Sequence, residues 1–519
     1  MDIKTKTSDS INDFLNSEKD LSVQEKNRVN KIPLYEKIGV NPFGERYEKK
    51  NYSKEIFEFE DVKNVKNLKL SKDEFEKKKI FVSVAGRITR LRNMGKISFF
   101  VIKDKLGTIQ CYISVNDVCE DDFNLFKLAD LGDIVGVQGF LFYTSAGELT
   151  IKVNKYTHLS KAIIPLPDKF YGLKNIEEKQ RKRYLDFITE EKYTNNLVNR
   201  FKIIKSIREF CDNLGFIEVE TSVLSSISGG ADARPFVTHH NSLGCDFYLR
   251  IATEIPLKKL IVGGLEKVYE IGKIFRNEGI DATHSPEFTT IELYQAYGDL
   301  SDMRLFVEKL FRYISKVVFN KDEVIYNDIK IDFSKPFRYV SMVDLIKNET
   351  GIDFSKNISF EEAAILAKKN NIDFDNNVSS VGEIIILFFE KFCEQKLIQP
   401  TFVHTYPIEV SPLAKKTSDP RFVERFEFFI NGKEIANAYS ELNDPIDQTK
   451  RFQYQLHKKN NSEENKIDYD FLTAMKYGMP PTGGLGIGID RIVMIFCNEN
   501  SIKNVIAFPT LREKNSKKI

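Results

Sequence analysis

The sequence has no tryptophan, only six histidines and six cysteines, and almost no net charge. Cys111, Cys119, Cys211, Cys245, Cys393 and Cys497 stand far apart, with no CxxC pair and no adjoining histidine cluster. That spacing excludes a disulfide framework and a structural zinc site and implies a reducing compartment. With 77 basic residues against 75 acidic ones, the balance of +2 gives no global attraction to nucleic acid, so such a partner has to be met by local patches. No apolar run approaches the roughly twenty residues that cross a bilayer, and Ile384 to Phe389 is a short buried segment. Met1 to Asp20 is polar with both charge signs and lacks the apolar centre of a signal peptide. A cytoplasmic location without a membrane partner is therefore expected. The missing tryptophan, beside abundant Lys, Asn, Ile and Phe, reads as compositional drift and carries no function.

What is present is ordinary for a globular chain: 519 residues, 42% hydrophobic and 29% charged, enough for two or three domains with a large core. Residues 1–70 are rich in lysine and glutamate, with few apolar positions at helical spacing before Val29-Asn30-Lys31-Ile32-Pro33-Leu34, and read as a loosely ordered, partly helical extension. Residues 71–165 carry short alternating strands at Phe81 to Arg87, Ile97 to Ile102, Thr108 to Ile113, Ile134 to Phe142 and Leu149 to Tyr156, with a helical break at Asp122 to Leu128. Five such strands predict a small Greek-key barrel of the OB-fold type. That barrel stacks single-stranded bases on exposed aromatics, and the candidates are Phe99 or Phe100, with Gln110 and Glu148 able to read base edges. Adjacent strand residues point to opposite faces, so one phenylalanine belongs to the core.

Pro165-Leu166-Pro167 reads as a linker, and residues 166–519 form a second, mixed domain. A helix from about Val198 to Leu214 stops at Gly215, a good position for a left-handed cap. Residues 299–400 read as a mainly helical insertion. Between them lies the densest chemistry of the chain. Lys267 to Phe275 alternates as a strand, Asn277 to Pro286 has loop composition, and Phe288 to Tyr297 returns as a second strand. This hairpin puts Arg276, Glu278, His284, Ser285, Glu287, Phe288, Glu292 and Tyr294 close together. A guanidinium beside carboxylates and aromatic faces suits a purine triphosphate, because arginine offers phosphate a fork of donors while an aromatic stacks on the base. Near the C-terminus, Pro480 to Arg491 is a glycine-rich strand that is neither a phosphate loop of the GxxxxGK type nor a dinucleotide fingerprint. Gly484, Gly486 and Gly488 allow a flat ligand to approach the backbone, with Arg491 at the far end.

These two segments resemble motifs 2 and 3 of the class II aminoacyl-tRNA synthetases, and the likeness is greatest to the lysyl-tRNA synthetases. The resemblance runs from about Asn30 to Arg512. Gly229 to Phe236 is similar to the family's signature after motif 1, and Asn437 to Pro445 to its amino-acid pocket. It implies an α+β chain: a five-stranded OB-fold barrel that binds the anticodon, followed by an antiparallel sheet flanked by helices. It implies ATP-dependent ligation of L-lysine to tRNA(Lys) through a lysyl-adenylate, by a homodimer. Arg276, Glu278 and Arg491 are then the catalytic residues. Arg276, Glu278, His284, Ser285, Phe288, Glu427, Gly488, Asp490 and Arg491 bind ATP, with the adenine between Phe288 and Arg491. Glu427 and Glu434 hold Mg²⁺, a hard cation suited by oxygen ligands. Glu254, Glu292 and Gly230 meet the α-amine, Glu441 and Tyr294 the ε-amine, Asn437 and Arg276 the carboxylate, and Tyr439 packs the aliphatic stem. Phe99, Gln110 and Glu148 contact the anticodon.

Aspartyl and asparaginyl relatives share the barrel and the ATP motifs, but a pocket for an acidic side chain needs cations where Glu441 and Tyr294 stand. A synthetase-like RNA-binding protein without activity is a further alternative, opposed by the intact Arg276, Glu278, Glu427, Glu434 and Arg491. Two positions depart from the family. Ser222 stands where motif 1 carries a proline that stiffens a strand at the dimer interface. Ser285 stands where His-Asn-Pro-Glu-Phe is usual, and a hydroxyl replaces only part of an amide's hydrogen bonding.

Overall fold

The computed structural model describes residues 21–167, 176–227, 229–231, 233–375, 377–458 and 467–512. The part of the expected extension from Met1 to Asp20, and Ser228 and Asp232 of the glycine signature, lie outside them. The chain divides into two compact units, Met1–Lys174 and Asn175–Ile519.

Among the described residues, the first unit begins with five short helices, α1 (Val23–Val29), α2 (Ile32–Lys37), α3 (Ser53–Ile56), α4 (Glu60–Lys66) and α5 (Lys72–Lys77). Ser22 and Glu25 form a reciprocal capping box at the start of α1, as Ser71 and Glu74 do at α5. Strands β1 (Phe81–Met94), β2 (Ile97–Lys103), β3 (Thr108–Ser114), β4 (Ile134–Tyr143) and β5 (Leu149–Ser160), with α6 (Glu120–Lys127) before β4, close a barrel in the order β1-β2-β3-β5-β4. Alternate residues, among them Val82, Val84, Phe100, Ile102, Ile109, Cys111, Val137 and Ile151, fill its interior. Tyr35, Ile56, Val62 and Phe75 of the helices join the same core. The extension is therefore more ordered than its composition suggests. Its apolar residues are sparse, yet Tyr35, Ile56 and Val62 are anchored in the barrel core, while Val23, Leu34, Phe43 and Leu68 stay exposed.

The second unit opens with α7 (Ile176–Arg181), α8 (Arg183–Thr189) and α9 (Glu191–Asn213). The last begins earlier than its apolar pattern indicates, because its first turns are polar, and it ends before Gly215 at φ +77°. Then come β6 (Ile217–Glu218), β7 (Leu224–Ser225), β8 (Val237–His240), β9 (Cys245–Leu249), α10 (Glu254–Val262), β10 (Lys267–Phe275) and β11 (Glu287–Ala296). The segment expected as one helical insertion holds α11 (Leu300–Phe319), β12 (Glu323–Tyr326), β13 (Ile329–Asp332), β14 (Arg338–Ser341), α12 (Met342–Thr350), α13 (Phe360–Lys369) and α14 (Val381–Phe392). The chain closes with β15 (Thr401–Pro407), β16 (Phe422–Ile430), β17 (Lys433–Ser440), α15 (Pro445–Lys458), α16 (Tyr469–Lys476), β18 (Thr482–Gly488) and α17 (Ile489–Phe496).

Eight strands form one mixed sheet in the order β14-β15-β16-β17-β18-β11-β10-β6, antiparallel except at its two ends. One face is dry: Tyr269, Ile291, Leu293, Ala436, Ala438, Leu485 and Ile487 pack under α9, α11 and α17. On α11, capped by Asp299, the buried Met303, Phe306, Val307, Leu310, Phe311 and Ile314 recur at helical spacing. The segment 299–400 thus splits. Helix α11 belongs to the main core and β14 to the main sheet, while α12 to α14 build a separate core with Val403, Tyr406 and Phe422. The residues between the dry ones, Glu292, Tyr294, Asn437, Tyr439, Gly484 and Gly486, point to the opposite face.

Candidate functional site

That opposite face carries a cavity of about 1160 Å³. Its floor follows from strand register. Glu292 and Tyr294 of β11 pair with Gly486 and Gly484 of β18, which pair in turn with Asn437 and Tyr439 of β17, opposite Glu427 and Arg425 of β16. A bulge between Phe428 and Phe429 admits an extra residue in β17, so Glu434 also reaches the cavity despite its odd spacing from Asn437. Glu254 enters from the first turn of α10. Gly230 contributes backbone at φ +86°, a conformation that side-chain-bearing residues resist.

Arg276, Glu278, His284, Ser285, Phe288, Glu427, Glu434, Gly488 and Arg491 all line the cavity. The Arg276 guanidinium lies 5.2 Å from the centre of the Phe288 ring, and its Nε donates to the Ile251 carbonyl at 3.4 Å. The hairpin loop is tied to the glycine segment by Asn277 N donating to Arg234 O at 2.8 Å. Asp281 organises the loop tip: it accepts from the backbone N of Thr283 and His284, and pairs with His284 Nδ1 at 2.8 Å. Arg491 Nη1 donates to the Glu434 carbonyl at 2.5 Å and lies 3.3 Å from its carboxylate. Asp490 reaches the wall, but its oxygens are already engaged, Oδ1 by Arg200 at 2.5 Å and Oδ2 by Thr289 N at 2.7 Å.

Glu427 and Glu434 present hard oxygen donors from neighbouring strands. Burial and the Glu434 charge push Glu427 up to about 7, with Arg425 opposing. Such a pair of oxygen donors would suit a divalent cation such as Mg²⁺. Among the described residues no group of three or more His, Cys, Asp or Glu could hold a metal by itself, so the cation's remaining ligands would come from substrate and water.

Elsewhere the cavity meets a buried carboxylate cluster. Glu292 Oε1 accepts from Thr253 N at 3.1 Å and Oε2 from the Tyr294 hydroxyl at 3.4 Å. Burial, with the Glu254 charge added, pushes Glu292 up to about 7. Glu441 lies behind the cavity wall at 1% exposure, and its Oε1 has no hydrogen-bond partner. Burial pushes it up to about 8, with Lys258 opposing and Glu254 and Glu292 adding. Buried carboxylates of this kind gain by pairing with a cation.

Three participants escaped sequence reasoning. Lys258, completely buried, bridges Glu254 at 2.5 Å and Glu441. Arg425 donates to Asn437 Oδ1 at 3.1 Å and Glu427 Oε1 at 2.5 Å, and its guanidinium lies 4.4 Å from the centre of the Tyr406 ring. Arg200 anchors Asp490. The signals were there: Lys258 follows Glu254 by one helical turn, and Arg425 precedes Glu427 by one strand repeat.

In the barrel, Phe100 is core at 1% exposure, while Phe99 faces outward, its ring 5.2 Å from Tyr112, which is 5.9 Å from Phe142. Gln110 Nε2 donates to Thr150 Oγ1 at 2.9 Å, and Glu148 is exposed in the turn before β5. The structure brings Phe99, Tyr112 and Phe142 into one aromatic row. Tyr112 and Phe142 were not singled out in the sequence, although both sit on outward strand positions.

Residues 175–512 match the family described as tRNA synthetases class II (D, K and N), and residues 82–159 match the OB-fold nucleic acid binding domain. Relatives named lysine–tRNA ligase include one from Lactococcus lactis subsp. cremoris, 49% identical over 496 residues, covering 95% of this chain and 99% of that protein. Another, from Streptococcus suis, is 49% identical over 497 residues, with 95% and 99% covered. A third, from Onion yellows phytoplasma, is 50% identical over 498 residues, with 95% and 96% covered. Its barrel, its sheet and its near full-length likeness agree, and the chain belongs to the class II aminoacyl-tRNA synthetases, within the lysine–tRNA ligase family.

Proposed function

We propose that this protein joins L-lysine to tRNA(Lys) by way of a lysyl-adenylate, consuming ATP and releasing pyrophosphate and then AMP. The observation that carries the specificity is the unpartnered, buried Oε1 of Glu441, set in one cluster with Glu254 and Glu292. A cluster of buried carboxylates favours a ligand with two ammonium groups and repels an acidic side chain. The aspartyl and asparaginyl alternatives therefore fall away. Glu254, Glu292 and the Gly230 carbonyl suit the α-ammonium, Glu441 and Tyr294 the ε-ammonium, and Tyr439 the stem. Asn437 and Arg276 suit the substrate carboxylate.

The first step needs no general base, because the carboxylate is already a nucleophile. One of its oxygens attacks the α-phosphorus of ATP, and the bond to pyrophosphate breaks. Arg276 binds the α-phosphate oxygens, while Glu278, His284 and Ser285 position ATP and Phe288 with Arg491 holds the adenine. Glu427 and Glu434 would hold Mg²⁺, which when bound supplies positive charge to the phosphates and the departing pyrophosphate. A ribose hydroxyl at the tRNA end then attacks the lysyl carbonyl and AMP leaves. Phe99, Gln110 and Glu148 of the barrel suit the anticodon.

A homodimer is part of this reading. Exposed large apolar residues are Phe201 on α9, Leu214 just after it, Ile217 on the open edge strand β6, and Val223, Leu224 and Val237 on or beside β7 and β8. Six cysteines free of disulfides suit the cytoplasm. Among the described residues no helix is long and apolar enough to cross a membrane. The deciding experiment is amino-acid-dependent ATP–pyrophosphate exchange followed by charging of tRNA(Lys). Exchange with aspartate and none with lysine, or no exchange at all, overturns the reading.

A further inference from the structure

Lys258 is an unusual residue to find at the bottom of a cation-binding pocket. Its side chain is completely buried and reaches Glu254 Oε1 at 2.5 Å, one helical turn back on α10, and Glu441 Oε2 beyond the end of β17. Its ammonium lies 6.0 Å from the centre of the Tyr294 ring. Burial opposes its charge, yet Glu254 and Glu441 together hold it above the ordinary lysine range. No substrate atom needs to touch it: Glu441 keeps Oε1 free while Oε2 faces Lys258.

We propose that Lys258 is a positioning residue of the amino-acid site: its ammonium clamps Glu254 and Glu441 side by side and sets the pocket's charge for a ligand with two ammonium groups. With all three carboxylates ionised, the charges of the pocket and of lysine balance. Glu254, Glu292 and Glu441 bring three carboxylates, Lys258 returns one positive charge, and the remainder matches the two ammonium groups of lysine. Arg276, the other cation acting on Glu292, is matched by the substrate carboxylate. Without Lys258, three mutually repelling carboxylates would share one dry space, and the cheapest relief is a proton on Glu441. A protonated Glu441 is a poor acceptor for an ammonium. The groups facing Glu441 are Lys258 and Glu254 from α10, Glu292 and Tyr294 from β11, and Tyr439 from β17. Of these only Lys258 favours its ionised form. The inference rests on the proposed activation of lysine and adds to it a residue outside the substrate-contacting set.

The test is lysine-dependent ATP–pyrophosphate exchange by the full-length protein across pH, comparing wild type with Lys258→Met, Lys258→Arg, Glu441→Gln and the double variant Lys258→Met/Glu441→Gln. In Lys258→Met, KM for lysine rises about tenfold or more near neutral pH, and the pH profile of kcat/KM for lysine moves at least about one unit alkaline. KM for ATP stays within about twofold, and Lys258→Arg recovers part of the lysine KM. The double variant, which removes both charges and so keeps the fold, has the lysine KM of Glu441→Gln alone within about twofold, because Lys258 acts through Glu441. An unmoved pH profile in Lys258→Met, equal rises in the KM values of lysine and ATP, or full additivity in the double variant overturns the inference. Absence of lysine-dependent exchange in the wild type overturns the functional reading instead, and this inference with it.

Discussion

A Cβ atom added at Gly484 would lie 1.8 Å from Oε1 of Glu441 and 2.6 Å from Cε1 of Tyr294. The two residues assigned to the ε-ammonium thus occupy the volume that a side chain on β18 would take. At Gly486, one repeat along the strand, the nearest atom to an added Cβ is Glu292 Cγ at 3.6 Å, an ordinary contact. Gly484→Ala must therefore displace Glu441 or Tyr294, whereas Gly486→Ala fits. Overpacking of this kind costs about 1–3 kcal/mol, so we expect kcat/KM for lysine in Gly484→Ala to fall about 10- to 100-fold in pyrophosphate exchange. Equal losses in Gly484→Ala and Gly486→Ala would show that the close approach to Glu441 does not matter.

The same cluster makes stability and lysine binding depend on pH. Glu292 is pushed up to about 7 and Glu441 to about 8, both chiefly by burial. In the unfolded chain these groups ionise in the ordinary carboxylate range, so between that range and about pH 8 the folded protein holds protons that the unfolded chain has lost. The empty protein therefore loses stability as pH rises through this window, by about 1.4 kcal/mol per unit for each group while its shift lasts. Lysine reverses the trend, because its ammonium groups pair with the ionised carboxylates and expel the protons. Thermal unfolding from roughly pH 6 to pH 8.5 should show Tm falling without lysine and the lysine-induced rise in Tm growing, with KM for lysine falling over the same range. A lysine-induced shift independent of pH would refute the assignment of both glutamates.

Arg200 on α9 ties three elements together, donating to Asp490 Oδ1 at 2.5 Å and to Thr289 Oγ1 at 3.0 Å, with Asp490 in turn accepting from Thr289 N. The pair is buried, and removing one partner leaves an uncompensated charge, a loss of about 3–5 kcal/mol. Arg200→Met should lower Tm by many degrees, and Asp490→Asn added to it should restore part of the loss. If the double variant is no more stable than Arg200→Met, the pair is not coupled. This role also distinguishes Asp490 from its neighbour Arg491, whose guanidinium lines the cavity.

Much of this was legible in the sequence because it is local. The hairpin from Lys267 to Ala296 follows from alternation broken by loop composition, and Phe99 against Phe100 from strand parity. What was not legible depends on which distant elements meet. Lys258 looks like a surface lysine on an amphipathic helix until β17 delivers Glu441 to it. The segment 299–400 reads as mainly helical, and nothing in it marks α11 as part of the central core, β14 as part of the main sheet and α12 to α14 as a separate core. Sparse apolar residues such as Tyr35 and Ile56 suggested a loose extension, since sequence alone gives no account of the barrel surface that receives them. Glu434 was reached through resemblance, and the bulge that turns it into the cavity has no local signature.

Ser285 lines the cavity beside His284, in the part of the hairpin proposed to hold ATP. Its hydroxyl offers one donor and an acceptor, where an amide offers two donors and a carbonyl. Ser285→Asn should therefore lower the ATP KM by about two- to fivefold, the worth of one modest hydrogen bond. The lysine KM is the internal comparison. An ATP KM that is unchanged or higher in the variant would sink the idea that the serine weakens this contact.

The barrel gives the last prediction. Phe99, Tyr112 and Phe142 stand in a row on adjacent outer positions, with Gln110 held by Thr150 next to them. These outward aromatics pack on one another but leave part of their faces to solvent, and unpaired bases would cover those faces. Stacking contributes about 1–3 kcal/mol per base, so Phe99→Ala should lower kcat/KM for tRNA(Lys) charging about 10- to 100-fold relative to pyrophosphate exchange by the same preparation. Gln110→Ala should weaken discrimination against tRNAs with altered anticodons more than it weakens charging of the cognate, because an amide reads base edges while a ring does not. Phe142→Ala should produce a smaller loss of the Phe99 kind if the row binds consecutive bases. Were Phe99→Ala and Gln110→Ala both to leave the response to anticodon changes untouched, the binding face would have to lie on another side of the barrel, and the aromatic row would be no more than packing between neighbouring strands.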